Sequence, residues 1–174
     1  MNLKVLKKQN NSRMCIVCGT LNSASLKCPF YELEGDIVVA PFVGQDIHQS
    51  YPGRMHGGII SALLDEIAGR AVQIAAPDQW GVTGELTVRY KRPVPLGEPL
   101  LCVGKVVRDT PHLFFSEAFI EDRDGKILAT SKATYVKLAI ADIADGFGGK
   151  DWSLQTLPDE PKSFDVKNSD YFNR

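Results

Sequence analysis

The order of its segments predicts an α+β fold in which a curved antiparallel β-sheet wraps around one long central helix. Three observations carry that expectation. Between Gly57 and Ala75 the apolar residues Ile59, Ile60, Ala62, Leu63, Leu64, Ile67, Ala68, Ala71, Val72 and Ile74 spread nearly all round a helical wheel, the pattern of a buried helix. From Trp80 onward the apolar period changes from about 3.6 residues to about 2, the alternation of strands. Ahead of the helix, two short apolar segments flank Glu34-Gly35-Asp36, a hairpin signal. A helix apolar on every side is not covered by one flat layer. The sheet must curve around it, and the side left open must meet a partner, so a homodimer, or a dimer of dimers built from it, is expected.

The elements follow in order. Residues 1–14 are polar and read as loose chain or a short helix. Leu26–Leu33 and Ile37–Phe42 read as the strands of the hairpin, the second rich in β-branched residues. Gly44–Arg54, with Pro52-Gly53, is a loop leading into the helix. The helix runs from about Gly57 to Ala75, and Pro77 lies just past its end. Strands are expected over Trp80–Arg92, Leu100–Arg108, His112–Asp122 and Lys126–Leu138, the last two joined by a hairpin turn at Asp122-Arg123-Asp124-Gly125. Beyond Ala141 the chain is polar and rich in glycine and proline. The expected organisation is a lead-in over 1–25, one domain over 26–140 and an irregular polar tail over 141–174.

Composition excludes several classes of function. A net charge of −1 gives no basic field for nucleic acid. No apolar run reaches membrane-spanning length and the start lacks the apolar core of a signal peptide, so a cytoplasmic protein with no membrane partner is expected. The four cysteines do not suggest a disulfide framework in a chain of 174 residues. Cys15 and Cys18 have the spacing of a zinc half-site or a redox pair. Four-ligand zinc needs two more donors; Cys28 is close, and a fourth is not evident. The reading adopted is two small apolar groups in a turn, with no metal and no cofactor. A shared metal and redox chemistry stay open as alternatives.

The helix holds two features that packing alone does not call for. His56-Gly57-Gly58 opens it, and Asp65 sits in its middle, where a carboxylate is costly unless used or satisfied. Ser61, one turn earlier, is a candidate to satisfy it. Glu66 has Arg70 four residues on, the spacing of an ordinary helix ion pair.

With these stretches in view, the chain resembles the hotdog-fold thioesterases that cleave acyl-CoA, specifically the PaaI-like branch of the 4-hydroxybenzoyl-CoA thioesterase superfamily. The match rests on His56-Gly57-Gly58 with Asp65 nine residues after the histidine, on Gly81-Val82-Thr83, and on Pro93, Gly97 and Glu98. It covers roughly Phe30 to Leu138. Cys15-x-x-Cys18-Gly19 looks like a lead-in of some bacterial members, and the tail matches nothing known. The resemblance implies the hotdog fold, an acyl-CoA substrate and thioester hydrolysis.

That chemistry needs charge withdrawn from a carbonyl oxygen and a nucleophile delivered to its carbon. The first N–H groups of a helix are unpaired and lie at the positive end of its dipole. Glycine at 57 and 58 lets a carbonyl approach closely, so the Gly57 N–H is the expected oxyanion donor, with Gly58 beside it. His56 orients the loop or donates a hydrogen bond. Asp65 is the expected base or nucleophile, since burial makes a carboxylate more basic. Thr83 matches the position where the resembled family holds the attacking water. That family often has an asparagine six residues before the histidine; here Ser50 stands there with Gln49 beside it. Arg89, Lys91 and Arg92 are candidates for the phosphates of coenzyme A, and Tyr51, Met55, Ile59 and Phe114 for the acyl tunnel. Gly57 and Asp65 are eight residues apart, about 12 Å along a helix axis, too far to serve one thioester from one chain. Two antiparallel helices in a dimer resolve this, with Gly57 from one chain and Asp65 from its partner. A non-catalytic acyl-CoA binding module and an enoyl-thioester hydratase are the alternatives.

Overall fold

The structure, a computed structural model, describes residues 1–145, 149–155 and 158–173. The strands are β1 (Asn2–Lys8), β2 (Asn11–Ser12), β3 (Tyr31–Leu33), β4 (Ile37–Val43), β5 (Trp80–Tyr90), β6 (Pro99–Asp109), β7 (Leu113–Glu121), β8 (Ile127–Leu138), β9 (Trp152–Ser153) and β10 (Ser163–Asp165). The helices are α1 (Gly57–Arg70) and the single turn α2 (Ile140–Ile143). Eight strands form one antiparallel sheet in the order β10-β1-β3-β4-β6-β7-β8-β5, while β2 pairs with β9. Helix α1 packs across β5 to β8, the hotdog fold.

Ile60, Leu63, Leu64, Ile67 and Ala68 of α1 are buried against Cys102, Phe114, Ala118 and Ile120 of β6 and β7. The helix seats directly on β6 at Gly104, where a Cβ would lie 3.1 Å from the Ile67 carbonyl oxygen. α1 ends at Arg70 and tightens into a 3-10 turn over Ala71–Ile74, a common ending for a helix. It is not enclosed on every side. Ser61, Ala62, Asp65, Glu66 and Gly69 are only half-buried, and they mark the flank left open.

The ends of the chain are more ordered than their composition suggests. Residues 2–8 are neither loose nor helical: β1 pairs with both β3 and β10. Its Leu3 enters a second core with Tyr31, Leu33, Val39, Val103, Phe119 and Val166 on the sheet face away from α1, against which Phe164, Tyr171 and Phe172 of the tail pack. The tail is anchored by polar groups too. The buried Glu121 carboxylate accepts from the backbone N–H groups of Lys167 and Asn168 at 2.9 and 3.1 Å. Tyr31 donates to Glu160 at 2.7 Å. The first hairpin strand is shorter than expected, Tyr31–Leu33 only, because Cys28 and Phe30 bond to Val17 and Gln9 outside any ladder.

β5 lies at the end of the sheet order, so only its β8 side is paired among the described residues. None of the described helices is long and apolar enough to cross a membrane.

Candidate active site

His56 is the N-cap of α1, and its Nδ1 accepts from the Gly58 N–H at 2.9 Å. The ring therefore shapes the helix start and uses the Gly58 donor. The backbone of His56 is held in turn: its N–H donates to the carbonyl of His48, whose buried ring bridges Gln45 and Ala24. Among the described residues the Gly57 N–H has no acceptor. Tyr90 lies beside Gly57: its hydroxyl donates to the Gly57 carbonyl at 2.9 Å and lies 2.6 Å from Ser61 Oγ. Ser61 is thus committed to Gly57 and Tyr90 and does not satisfy Asp65.

Asp65 is instead held from the sheet. Thr83 Oγ1 donates to its Oδ1 at 2.9 Å, and the Tyr135 hydroxyl donates to Oδ1 at 2.9 Å and to the Asp65 carbonyl at 2.7 Å. Register sets this meeting, since Thr83 on β5 pairs with Tyr135 on β8. Burial, and then the Asp65 charge, push the Tyr135 phenol well above the usual tyrosine range, so it remains a donor. The carboxylate is half-buried rather than sealed in an apolar wall, and Oδ1 carries both side-chain donors. Beside it lies a cavity of about 160 Å³ lined by Glu66, Arg70, Trp80, Thr83, Tyr135 and Trp152 among others. Trp152 comes from the tail and stacks edge-on to Trp80 at 5.0 Å.

The structure brings Thr83 onto the Asp65 carboxylate, where a water-holding role was expected of it, and adds Tyr135, which the sequence reading passed over. Gln49 and Ser50 are exposed loop residues; Gln49 Oε1 accepts from Gly53 within the loop, and the Ser50 N–H donates to Arg54. Arg89 and Lys91 are not brought to Asp65. A bulge at Gly84 shifts the register of β5, so Leu86 and Val88 pack toward α1 while Arg89 and Lys91 line a separate groove of about 690 Å³ on the other face of the sheet. Arg92 donates to the Ile127 carbonyl at 2.9 Å. Of the residues expected along an acyl tunnel, Met55 and Phe114 are in the packed core and Tyr51 is exposed; only Ile59 keeps a half-open position. Glu66 and Arg70 form the expected ion pair at 2.8 Å.

A free glycine amide at a helix start can polarise a carbonyl group, and a carboxylate held by two hydroxyls can activate water or attack; on one helix the two lie too far apart to act on the same carbonyl. Residues 52–129 match the family model described as thioesterase superfamily. A protein of Xenopus laevis, acyl-coenzyme A thioesterase THEM4, is 32% identical over 114 residues, which is 64% of this chain and 50% of that one. The chain thus spans about half the length of this curated relative. A thioesterase-superfamily protein of known crystal structure superposes with a TM-score of 0.67 at 28% identity, covering 71% of this chain and 63% of that one. A Streptococcus mutans protein crystallised with acetyl-CoA shares the fold, with a TM-score of 0.58 at 24% identity over 64% of this chain and 89% of that one.

Proposed function

We propose that this protein hydrolyses acyl-CoA thioesters to free acid and coenzyme A, as a PaaI-like hotdog thioesterase acting as a homodimer. The observation that carries this reading is the Asp65 carboxylate, fixed by Thr83 and Tyr135 at the rim of a cavity. The outer edge of β5, which pairs with no other strand among the described residues, supports the dimer. An exposed edge of 11 residues is a liability unless covered, and pairing with the same strand of a second copy extends the sheet across a two-fold axis. Such a pairing sets two α1 helices side by side and antiparallel. The Gly57 amide of one then approaches the Asp65 of the other, which meets the separation of about 12 Å within a single helix.

In the reaction, the thioester oxygen accepts from the Gly57 N–H, and the helix dipole stabilises the charge that grows there. Asp65 of the partner subunit takes a proton from water as it adds to the carbonyl carbon, or adds directly and is released by water in a second step. Thr83 and Tyr135 fix the carboxylate for that attack. The coenzyme A thiolate leaves and is protonated. His56 is a positioning residue here, because its Nδ1 is occupied by Gly58.

Release of free thiol from acyl-CoAs of graded chain length, and from aryl-acyl-CoAs, tests the reading in wild type and Asp65→Asn. Hydrolysis in the wild type with a loss of about 1000-fold or more in kcat for the variant is expected, within the range of removing a nucleophile or base. Unchanged kcat in the variant overturns the role of Asp65. Binding of acyl-CoA without any thiol release by the wild type indicates a binding module instead.

A further inference from the structure

We propose that Cys15, Cys18 and Glu66 form a binding site for a thiolate-preferring divalent cation, zinc above all, that ties the lead-in to the central helix. The Sγ atoms of Cys15 and Cys18 and a carboxylate oxygen of Glu66 all lie within 4.8 Å of one another. Cys15 Sγ and Glu66 Oε2 are 3.7 Å apart. In a tetrahedral zinc site, with metal–sulfur and metal–oxygen bonds of about 2.3 and 2.0 Å, neighbouring ligand atoms stand about 3.5 to 3.8 Å apart. The Cys15–Glu66 separation therefore matches ligand spacing before any metal enters, with Cys18 Sγ within 4.8 Å of both. Glu66, brought in by the fold, supplies the third donor; Cys28, the nearest candidate in sequence, is not one of the three.

Hydrogen-bond donors face both sulfur atoms. Cys15 Sγ accepts from the backbone N–H groups of Val17 and Cys18 at 3.2 and 3.4 Å. Cys18 Sγ accepts from the Ser12 N–H and from Arg70 Nη2, each at 3.2 Å. Donors of this kind stabilise sulfur as an anion and aim it. The turn is sterically specified as well: a Cβ on Gly19 would fall 2.2 Å from the Cys15 carbonyl oxygen.

Arg70 would oppose a cation if it stood as a bare charge. It is already engaged: Nε binds Glu66 Oε1 at 2.8 Å, Nη1 binds the Asn10 carbonyl at 2.8 Å, and the guanidinium lies over the Phe30 ring at 4.1 Å. This leaves Glu66 Oε2 facing Cys15. With a divalent cation, two thiolates, one carboxylate and one guanidinium, the buried cluster carries no net charge. Binding displaces the thiol protons, including the one Cys15 shares with Glu66 Oε2, and those protons go to solvent. Cys15 is half-exposed and offers an entry path, with water completing the tetrahedron. The inference does not depend on the thioesterase reading.

The full-length chain, purified under reducing conditions without chelator, tests it by elemental analysis and thiol counting. About one zinc per chain is expected, together with two thiols that react with a disulfide reagent only after the metal is stripped. Cobalt added to the stripped chain should give sulfur-to-metal charge-transfer absorption and the intense visible bands of a tetrahedral site. Cys15→Ser and Glu66→Gln should each weaken zinc binding by about 100-fold or more, since even outer groups cost 10- to 100-fold. The wild-type result stands by itself if a variant fails to fold. A stripped chain that takes up neither zinc nor cobalt overturns the proposal. A mass two hydrogens lower, with a Cys15–Cys18 disulfide and no metal in freshly reduced and re-equilibrated protein, overturns it in favour of a redox pair.

Discussion

Replacing Tyr135 with phenylalanine removes one oxygen and keeps the ring. Tyr135 is 2% exposed and its ring stacks on Phe114 at a centroid distance of 4.6 Å, so the packing survives the change. What is lost is a donor shared between the Asp65 carbonyl and Oδ1. A hydrogen bond to a charged group is worth about 1.5–3 kcal/mol net. In a chain of this size each kcal/mol moves the melting midpoint by about 2–4 °C, so a fall of about 3–12 °C is expected. The carboxylate is then held by Thr83 alone. If its orientation matters to attack, kcat falls about tenfold, equivalent to about 1.4 kcal/mol, with KM little changed. Thermal melts and thiol-release kinetics read the two effects separately. A lowered midpoint with kcat within about twofold of wild type refutes the positioning role and leaves a phenol that only buttresses the helix.

The same pair of proteins gives a signed dependence on pH. Burial and the neighbouring Asp65 charge raise the Tyr135 phenol above the ordinary tyrosine value of about 10. The unfolded chain then loses this proton first as pH rises. The stabilisation is complete below about pH 10 and is lost as pH climbs toward the folded-state value. The stability gap between wild type and Tyr135→Phe should be level from about pH 6 to about pH 9 and narrow above about pH 10. A gap that widens there contradicts the assignment.

Other substitutions test neighbouring parts of the same account. A Cβ on Gly57 would meet Tyr90 at an ordinary 3.5 Å, so Gly57→Ala should fold normally, while the methyl group crowds the carbonyl and lowers kcat/KM by about 100-fold. Melting and kinetics check both halves. Co-expression of Gly57→Ala with Asp65→Asn should restore about a quarter of wild-type activity, because half of randomly paired dimers hold one intact composite site of two; no recovery in verified heterodimers refutes sites shared between chains. Gly104→Ala should cost about 1–3 kcal/mol by denaturant titration, because the Cβ meets the α1 backbone at Ile67 rather than a movable side chain. Trp152→Ala should enlarge the cavity beside Asp65 and shift the preferred acyl group toward bulkier ones in a substrate panel.

What the sequence discloses about this site follows the kind of spacing that builds it. His56, Gly57, Gly58 and Asp65 are related along one helix, and their separations can be counted from the chain. The long strands β5 to β8 are legible for the same reason: each repeats its period over 9 to 12 residues. β1 is less so. Its inward Leu3 is set among exposed lysines, and the core it enters is completed by Val166 and Tyr171 from the far end of the chain. Tyr135 and the two basic residues of β5 fall in a third class, decided by strand register. Alternation alone would put Thr83, Glu85, Thr87, Arg89 and Lys91 on one face, and so would carry both cations to the carboxylate. The extra residue at Gly84 breaks that parity. Thr83 remains opposite Tyr135 and bonds Asp65, but Glu85 pairs with Thr134, and the rest of the strand is turned over. One unpaired glycine thereby gives Asp65 two hydroxyl donors and sends Arg89 and Lys91 to the opposite face. From strand β5 of the same chain, the Asp65 carboxylate meets a neutral wall.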